Sequence, residues 1–161
     1  MRKTKVYLDT SVINFLFADD APDFKNATVD FFMNYFSKYE VYISDIVLLE
    51  INKTKDTEIK QKLLDVIKTY YFEFLNSKDD KNVMFLSNLY IRECIIPKNK
   101  FEDALHIALC TVYEIDVLLS WNFKHLANIH KEVLINAINE REGFWKKLNL
   151  LNPLEVINDE D

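Results

Sequence analysis

The sequence contains very little glycine, proline and cysteine. Its 161 residues include 1 Gly, 3 Pro and 2 Cys. The near absence of glycine excludes the glycine-rich loop with which P-loop proteins cradle phosphates. The two cysteines, Cys94 and Cys110, belong to no C-x-x-C pair, so neither a zinc knuckle nor a thioredoxin-type redox motif is present. Any phosphate chemistry of this protein must therefore depend on other side chains.

Long apolar runs and an excess of positive charge are also missing. No stretch approaches the ~18 apolar residues that span a bilayer, and only Val6-Tyr7-Leu8 separates the basic start from Asp9, too short for a signal-peptide core. We therefore expect a cytoplasmic protein that contacts no membrane. The net charge of −6 argues against coating nucleic acid through bulk charge, but it allows local basic patches.

The composition is that of an ordinary globular protein. Hydrophobic residues make up 49% of the chain and charged residues 29%. A length of 161 residues fits one domain. We predict a single domain over residues 1–161, in which the acidic segment from about 154 to 161 forms a frayed tail.

Short β-prone segments alternate with helical ones. We predict strands at Lys5 to Leu8, Val41 to Ile43 and Val117 to Trp121, and an edge strand at Leu148 to Leu151. Apolar residues at three- and four-residue spacing predict helices at 19–39, 45–51, 59–74, 83–93 and 101–114. This alternation is typical of an α/β fold with a parallel sheet.

Four oxygen-bearing side chains follow predicted strands or begin predicted helices. Asp9 and Asn122 each follow a strand directly, Glu50 lies in the helix after the second strand, and Asp103 is in the first turn of its helix. Open parallel sheets bind ligands at the carboxyl ends of their strands, so we expect these side chains to meet there. Clustered carboxylates repel one another without a cation, and oxygen ligands suit Mg²⁺ or Mn²⁺. A metal held there would activate water for phosphoester hydrolysis.

Each acid also has an ordinary structural explanation. Asp9 is suited to capping a turn, and Asp103 to the positive N-terminal end of its helix. Glu50 follows a helical apolar run, where an exposed glutamate is common. Only their joint occurrence favours a catalytic site.

Four segments together resemble the PIN domain family, which includes VapC-type toxins. They are Lys5 to Asn14, Ile46 to Ile51, Asp103 to Ala108 and Val117 to Asn122. The resemblance extends from about Lys5 to Pro153. It implies an α/β/α sandwich around a central parallel sheet of four to five strands. It also implies a divalent-metal-dependent endoribonuclease that leaves 5′-phosphate and 3′-hydroxyl ends, with RNA as substrate and, in a toxin, a small antitoxin protein as partner.

By this resemblance, Asp9, Glu50 and Asp103 match the three main acids of the family and are the expected catalytic residues and ligands of Mg²⁺ or Mn²⁺. Ser11 is expected beside the substrate. Asn122 departs from the pattern, because many family members carry there an acid that helps to hold a second metal. An amide supplies one neutral oxygen, so Asn122 is expected to be a weaker ligand.

Two other functions compete with this interpretation. In an aspartyl-phosphate phosphatase Asp9 would be the nucleophile, but that family has a second aspartate two residues later, where this chain has Ser11. A non-catalytic PIN scaffold would bind RNA or a protein partner without cleaving anything. The aromatic-rich segments 31–39 and 70–74 carry more apolar surface than one helix face needs, which predicts either a homodimer or core packing.

The remaining histidines and lysines receive ordinary interpretations. We expect His106 to be a hydrogen-bonded core histidine, and His125 and His130 to lie on the surface. Several lysines flank the expected site and are suited to guiding phosphates, although a solvated lysine needs no such role: Lys53, Lys55, Lys98, Lys100 and Lys124.

Overall fold

A parallel sheet forms the centre of the protein in the computed structural model, which describes residues 2–157. Its five strands lie in the order β3-β2-β1-β4-β5. They are β1 (Lys5–Leu8), β2 (Glu40–Ser44), β3 (Glu73–Leu75), β4 (Val117–Leu119) and β5 (Asn149–Leu151), all paired in parallel. The central strand β1 buries Val6, Tyr7 and Leu8 completely, as expected for a strand covered on both faces.

Helices flank the sheet and complete an α/β/α architecture, which confirms the predicted fold class. They are α1 (Thr10–Asn14), α2 (Pro22–Asp30), α3 (Asp45–Asn52), α4 (Thr57–Thr69), α5 (Lys81–Arg92), α6 (Phe101–Val112), α7 (Ile129–Arg141) and α8 (Pro153–Ile157). Within residues 2–157, none of the helices has the length and apolar character needed to cross a membrane.

The strand order determines where a ligand site can form. From β1 the chain first builds β2 and β3 on one side, and then returns to build β4 and β5 on the other. The connections after β1 and β4 therefore diverge, leaving a crevice at their carboxyl ends, where open α/β sheets bind ligands. Leu8 pairs with Leu119 at this end, so Asp9 lies beside the residues that follow β4.

One predicted helix changes its hydrogen-bonding pattern along its length, and another ends earlier than its sequence spacing indicates. The segment predicted at 19–39 forms α2, then a π-helical stretch at Phe31–Tyr35 and a 3-10 turn at Phe36–Lys38, because consecutive Phe31 and Phe32 are both buried. The helix predicted at 59–74 was wrong at its C-terminal end, because α4 ends at Thr69 and Phe74 lies in β3. Hydrogen bonding to β2 overrides the helical spacing there.

The C-terminal region also differs from the prediction. Helix α7 was not predicted, because its apolar residues do not form one stripe: Ile135 is buried, whereas Ile129 and Val133 are exposed. The frayed tail was wrong for residues 154–157, which belong to α8 and bury Val156 against the core. The rest of that predicted tail, 158–161, lies outside the described residues.

The outer edge of β5 is closed by side chains of α7. The side chain of Asn136 accepts a hydrogen bond from the Leu148 amide (2.9 Å) and donates one to the Leu148 carbonyl (2.8 Å). The carboxylate of Glu132 accepts the amide hydrogen bond of Leu150 at 2.7 Å. The outward amides of Leu148 and Leu150 and the Leu148 carbonyl are thus satisfied within the chain.

The aromatic residues of segments 31–39 and 70–74 pack mostly against one another. Phe36 lies between Phe32 and Phe72, with ring centroids 5.5 and 5.3 Å away, and Tyr70 is 5.0 Å from both Phe32 and Phe36. Much of the aromatic surface that motivated a homodimer is therefore used inside the protein, as the core-packing alternative predicts.

Replacing Phe31 by alanine tests this core. Phe31 is fully buried, so we expect Phe31→Ala to lower the free energy of unfolding by about 3–5 kcal/mol through lost burial and a residual cavity. The neighbouring Met33 is 74% exposed, and Met33→Ala should change it by less than about 0.5 kcal/mol. Urea unfolding followed by fluorescence measures both, and equal effects would contradict this packing.

Candidate active site

The three predicted acids reach the carboxyl edge of the sheet from three different elements. Asp9 directly follows β1, Glu50 lies on α3, and Asp103 is in the first turn of α6. Neither Asp9 nor Asp103 acts as a capping side chain: Asp9 occupies the cap position of α1 without a capping hydrogen bond, and the cap of α6 is Lys100. The capping explanation of Asp9 is therefore wrong.

Hydroxyl groups on both sides hold the Asp9 carboxylate. The Ser11 hydroxyl donates to Oδ1 at 2.6 Å, and the Ser120 hydroxyl donates to Oδ2 at 2.7 Å. The side chain is buried, and this burial raises the pKa of Asp9 above its ordinary value, although His106 and the two hydroxyls oppose the shift. The carboxylate is thus fixed in orientation while its charge remains only partly compensated.

Glu50 is stabilised as a carboxylate by an ion pair. Its Oε1 accepts hydrogen bonds from Nε2 of His106 at 2.6 Å and from the Thr10 hydroxyl at 3.0 Å. Burial works to raise the pKa of Glu50, but the hydrogen bonds and the His106 charge outweigh it, so the pKa lies below its ordinary value. Glu50 is therefore the acid that most readily keeps its negative charge.

His106 extends this pair into a buried chain of hydrogen bonds. It is 1% exposed, and its Nδ1 lies 2.6 Å from the Tyr7 hydroxyl, which lies 2.7 Å from Oγ of Ser44. Burial works to lower the pKa of His106, but Glu50 more than offsets it and the pKa is raised. The expectation of a hydrogen-bonded core histidine is confirmed, but that expectation missed its link to Glu50.

Asp103 has a strongly perturbed carboxyl group. Burial raises the pKa of Asp103 to about 6; the charges of Asp9 and Glu50 add to the rise and that of His106 opposes it. Within residues 2–157, its one side-chain hydrogen bond runs from Nδ2 of Asn122 to Oδ2, at 3.3 Å. Asp103 is thus the least compensated of the three acids.

Asn122 links the acids to the loop that follows β4. Its amide oxygen accepts the backbone N–H groups of Lys124 (3.2 Å) and His125 (3.1 Å), and its amide nitrogen points towards Asp103. Its own backbone N–H donates to the Ser120 hydroxyl at 2.9 Å. A continuous path of hydrogen bonds therefore joins Asp9 and Asp103, and the oxygen predicted as a ligand is occupied by the loop.

Other residues of this network differ from what the sequence indicated. Ser11 donates to Asp9 and accepts the Trp121 amide hydrogen bond at 2.9 Å, so it positions Asp9. Ser120 was missed, because a serine at a strand end carries no signal of its own. The surface prediction for His125 was wrong: its ring is packed beneath the loop and is only 6% exposed.

The donor chemistry of this edge suits a hard divalent cation. Three carboxylates and neutral hydroxyls, with no thiol among them, are the oxygen donors that Mg²⁺ and Mn²⁺ prefer. The raised pKa values of Asp9 and Asp103 reflect burial and mutual repulsion that a cation would relieve. Among residues 2–157, however, no three His, Cys, Asp or Glu side chains are grouped closely enough to hold an ion. Glu50 is instead paired with His106, so gathering all three acids about a cation requires side-chain movement.

Comparison with known proteins identifies the fold. No protein-family model and no curated protein matches the sequence. A chain of the VapBC2 complex of Rickettsia felis, solved with a DNA fragment from its promoter, is 19% identical with a TM-score of 0.53, covering 75% of this chain and 90% of that one. A chain of a toxin–antitoxin complex from Klebsiella pneumoniae is 20% identical with a TM-score of 0.55, covering 78% and 93%. The protein therefore has the PIN-like α/β/α fold that the sequence motifs predicted.

The raised pKa of Asp103 predicts how stability depends on pH. The folded carboxyl keeps its proton up to a pH of about 6, whereas in the unfolded chain it ionises near ~3.9. In metal-free buffer the free energy of unfolding should fall as pH rises through this window, because the folded state binds the proton more tightly.

Asp103→Asn removes the titrating group while keeping its shape. The free energy of unfolding should therefore fall less as pH rises, and the variant should be at least as stable as the wild type near neutral pH. Asp20→Asn, at an exposed position, is the control and should keep the wild-type slope. Thermal melts in EDTA across the window measure this. A variant that is less stable throughout would instead identify Asp103 as a helix-stabilising acid.

Proposed function

We propose that the protein is a divalent-metal-dependent endoribonuclease in which Asp9, Glu50 and Asp103 are the catalytic acids and hold Mg²⁺ or Mn²⁺. The observation that carries this proposal is that three acids from three elements lie near enough to one another, at the carboxyl end of the sheet, for the charges of Asp9 and Glu50 to act on Asp103. The charge of Glu50 contributes to the raised pKa values of Asp9 and Asp103, and perturbed pKa values of this kind are typical of functional sites.

The surrounding side chains prepare the acids for this role. Ser11 and Ser120 orient Asp9, and His106 keeps Glu50 ionised. Asn122 reaches Asp103 through its amide nitrogen, so in this proposal it positions that acid and becomes a ligand only if its amide turns. When bound, a divalent cation supplies activation of water and compensation of the charge that develops on the phosphate. Hydrogen-bonded supports of this kind normally tune metal ligands by tenfold to hundredfold in affinity or activity.

The fold and the site together favour hydrolysis over the alternatives. A protein that only binds RNA or a partner has no functional need for three acids that repel one another at one edge of the sheet. In a phosphatase with Asp9 as nucleophile, position 11 would supply a second carboxylate. Ser11 instead donates to Asp9, which favours Asp9 as a fixed ligand.

An RNA cleavage assay tests the enzymatic proposal. The wild type should cleave single-stranded or loop RNA with Mg²⁺ or Mn²⁺ and lose this activity in EDTA. Asp9→Asn and Asp103→Asn should each lower the cleavage rate at least about a hundredfold, because loss of a direct metal ligand costs more than loss of a residue that hydrogen-bonds to one. Asp20→Asn should cleave normally.

Cleavage that survives EDTA or requires zinc would overturn the metal assignment. Release of phosphate from an aryl phosphate by protein that leaves RNA intact would identify the phosphatase. Metal-induced thermal stabilisation, about 2.7 kcal/mol at a hundredfold excess over Kd, gives a second readout that should shrink in Asp103→Asn.

We further propose that the protein acts as the toxin of a toxin–antitoxin pair, with a small antitoxin protein as its partner. Support comes from the shared fold with chains of two toxin–antitoxin complexes, combined with a site suited to RNA cleavage. Uncontrolled cleavage of cytoplasmic RNA stops growth, so such an enzyme needs a dedicated inhibitor.

Induced expression in a bacterial host tests the toxin assignment. The wild type should arrest growth, whereas Asp9→Asn should not at equal protein levels measured by immunoblot. A small protein encoded beside the gene should restore growth and co-purify with the wild type. Normal growth with active, soluble wild type would contradict the assignment.

A further inference from the structure

A group of positive charges lies beside the candidate active site, around His125. The group consists of Lys100, the residue that caps α6, Lys124 in the loop after β4, and Lys131 in the first turn of α7. All three ammonium groups act on the His125 imidazole and add to burial in lowering its pKa. Their charges therefore converge on one place, although the chain as a whole carries −6.

Two of these lysines have no acidic partner. Within the described residues, no carboxylate forms an ion pair with Lys100 or Lys124, and both are exposed. Lys53, by contrast, pairs with Glu102 at 3.5 Å, and the Lys131 ammonium is bound to the Ile95 carbonyl. Within this group, the ammonium groups without a bound partner are therefore those of Lys100 and Lys124.

His125 adds an unused hydrogen-bonding group to this cluster. The ring is 6% exposed, and its Nδ1 is buried with no partner among residues 2–157. A buried imidazole nitrogen normally has a partner, because leaving it without one costs free energy. This unpaired nitrogen indicates a place where an ordered water or a polar ligand would complete the hydrogen bonding.

The cluster is coupled to the candidate acids through Asn122. The Asn122 oxygen holds the backbone of Lys124 and His125, and its nitrogen contacts Asp103. Lys100 also acts directly on the Asp103 carboxyl and lowers its pKa. A chain bound at the acids would therefore continue directly onto the lysines.

We propose that Lys100, Lys124 and His125 form a subsite for a backbone phosphate of single-stranded RNA adjacent to the phosphate that is cleaved. This proposal rests on the ribonuclease function proposed above. Phosphate oxygens are the anions that two unpaired ammonium groups and an imidazole best accommodate. Because the chain as a whole carries −6, RNA binding depends on local groups of positive charge such as this one and not on bulk charge.

The neighbouring Phe123 explains why the RNA would be single-stranded. Its ring is 45% exposed and packs against Phe24 and Trp121, with centroids 5.8 and 6.0 Å away. A supported, half-exposed ring beside a phosphate site offers a stacking surface to an unpaired base, which a duplex does not present.

Binding of a fluorescein-labelled, unstructured RNA oligonucleotide in EDTA tests the subsite without cleavage. We compare the wild type with Lys100→Gln/Lys124→Gln. The variant should bind at least about tenfold more weakly at moderate salt, and the slope of log Kd against log salt should fall by about 0.7, the value for one lost phosphate contact.

The matched control is Lys68→Gln/Lys147→Gln, which removes the same charge. These exposed lysines precede β3 and β5, at the opposite edge of the sheet. Screening over about 8 Å at physiological salt limits long-range effects, so the control should bind nearly as the wild type does. Equal losses in both variants, or no binding by the wild type, would overturn the subsite.

Phe123→Leu provides an independent measurement. It should weaken binding of the single strand several-fold with an unchanged salt slope, because no charge is lost. Unchanged affinity would overturn the single-strand assignment.

A cleavage assay in Mg²⁺ separates failure of the subsite from failure of the proposed function. Cleavage that is identical in the wild type and Lys100→Gln/Lys124→Gln at low RNA concentration leaves the ribonuclease intact and refutes the subsite. Binding that depends on these lysines without any cleavage retains the subsite and refutes the ribonuclease.

Discussion

The ion pair between His106 and Glu50 is the interaction on which the candidate site depends. His106 lies in α6 and is almost completely buried, with one ring nitrogen on Glu50 of α3 and the other on Tyr7 of β1. One imidazole therefore fixes the relative positions of three elements. It also supplies the positive charge that offsets three neighbouring acids, because it lowers the pKa of each of them. Removing one partner from a buried pair typically costs about 3–5 kcal/mol, and less here because the Glu50 side chain is 30% exposed.

The sequence was sufficient to predict the positions of the acids but not their support. Asp9 and Asp103 could be found because a strand end and a helix start are visible in local patterns. Ser120 reaches Asp9 only because β1 and β4 pair with Leu8 opposite Leu119, across 111 residues of chain. Likewise, the three-residue spacing of Asp103 and His106 predicts a shared helix face. It cannot predict the contact of His106 with Glu50, which lies on another helix.

The segments that the sequence misassigned share a physical cause. Strand β3 has three residues, too few to show alternation, and it forms because β2 offers it hydrogen bonds. Helix α7 lacks an apolar stripe, so periodicity cannot detect it. Both elements depend on tertiary context rather than on local preference. The same reasoning explains how the fold can be shared with chains about 20% identical: burial patterns determine the layers, while a few side chains at one edge determine the chemistry.

The closed outer edge of β5 limits how other chains can assemble with this one. Exposed strand edges invite edge-to-edge aggregation and recruit extended peptides by β-augmentation. Because Asn136 and Glu132 already accept the outward amide hydrogen bonds of Leu148 and Leu150, a foreign strand would have to displace both side chains to pair with these amides. At the β5 edge, association with another chain is therefore expected through side-chain contacts, and not by extension of the parallel sheet into that chain.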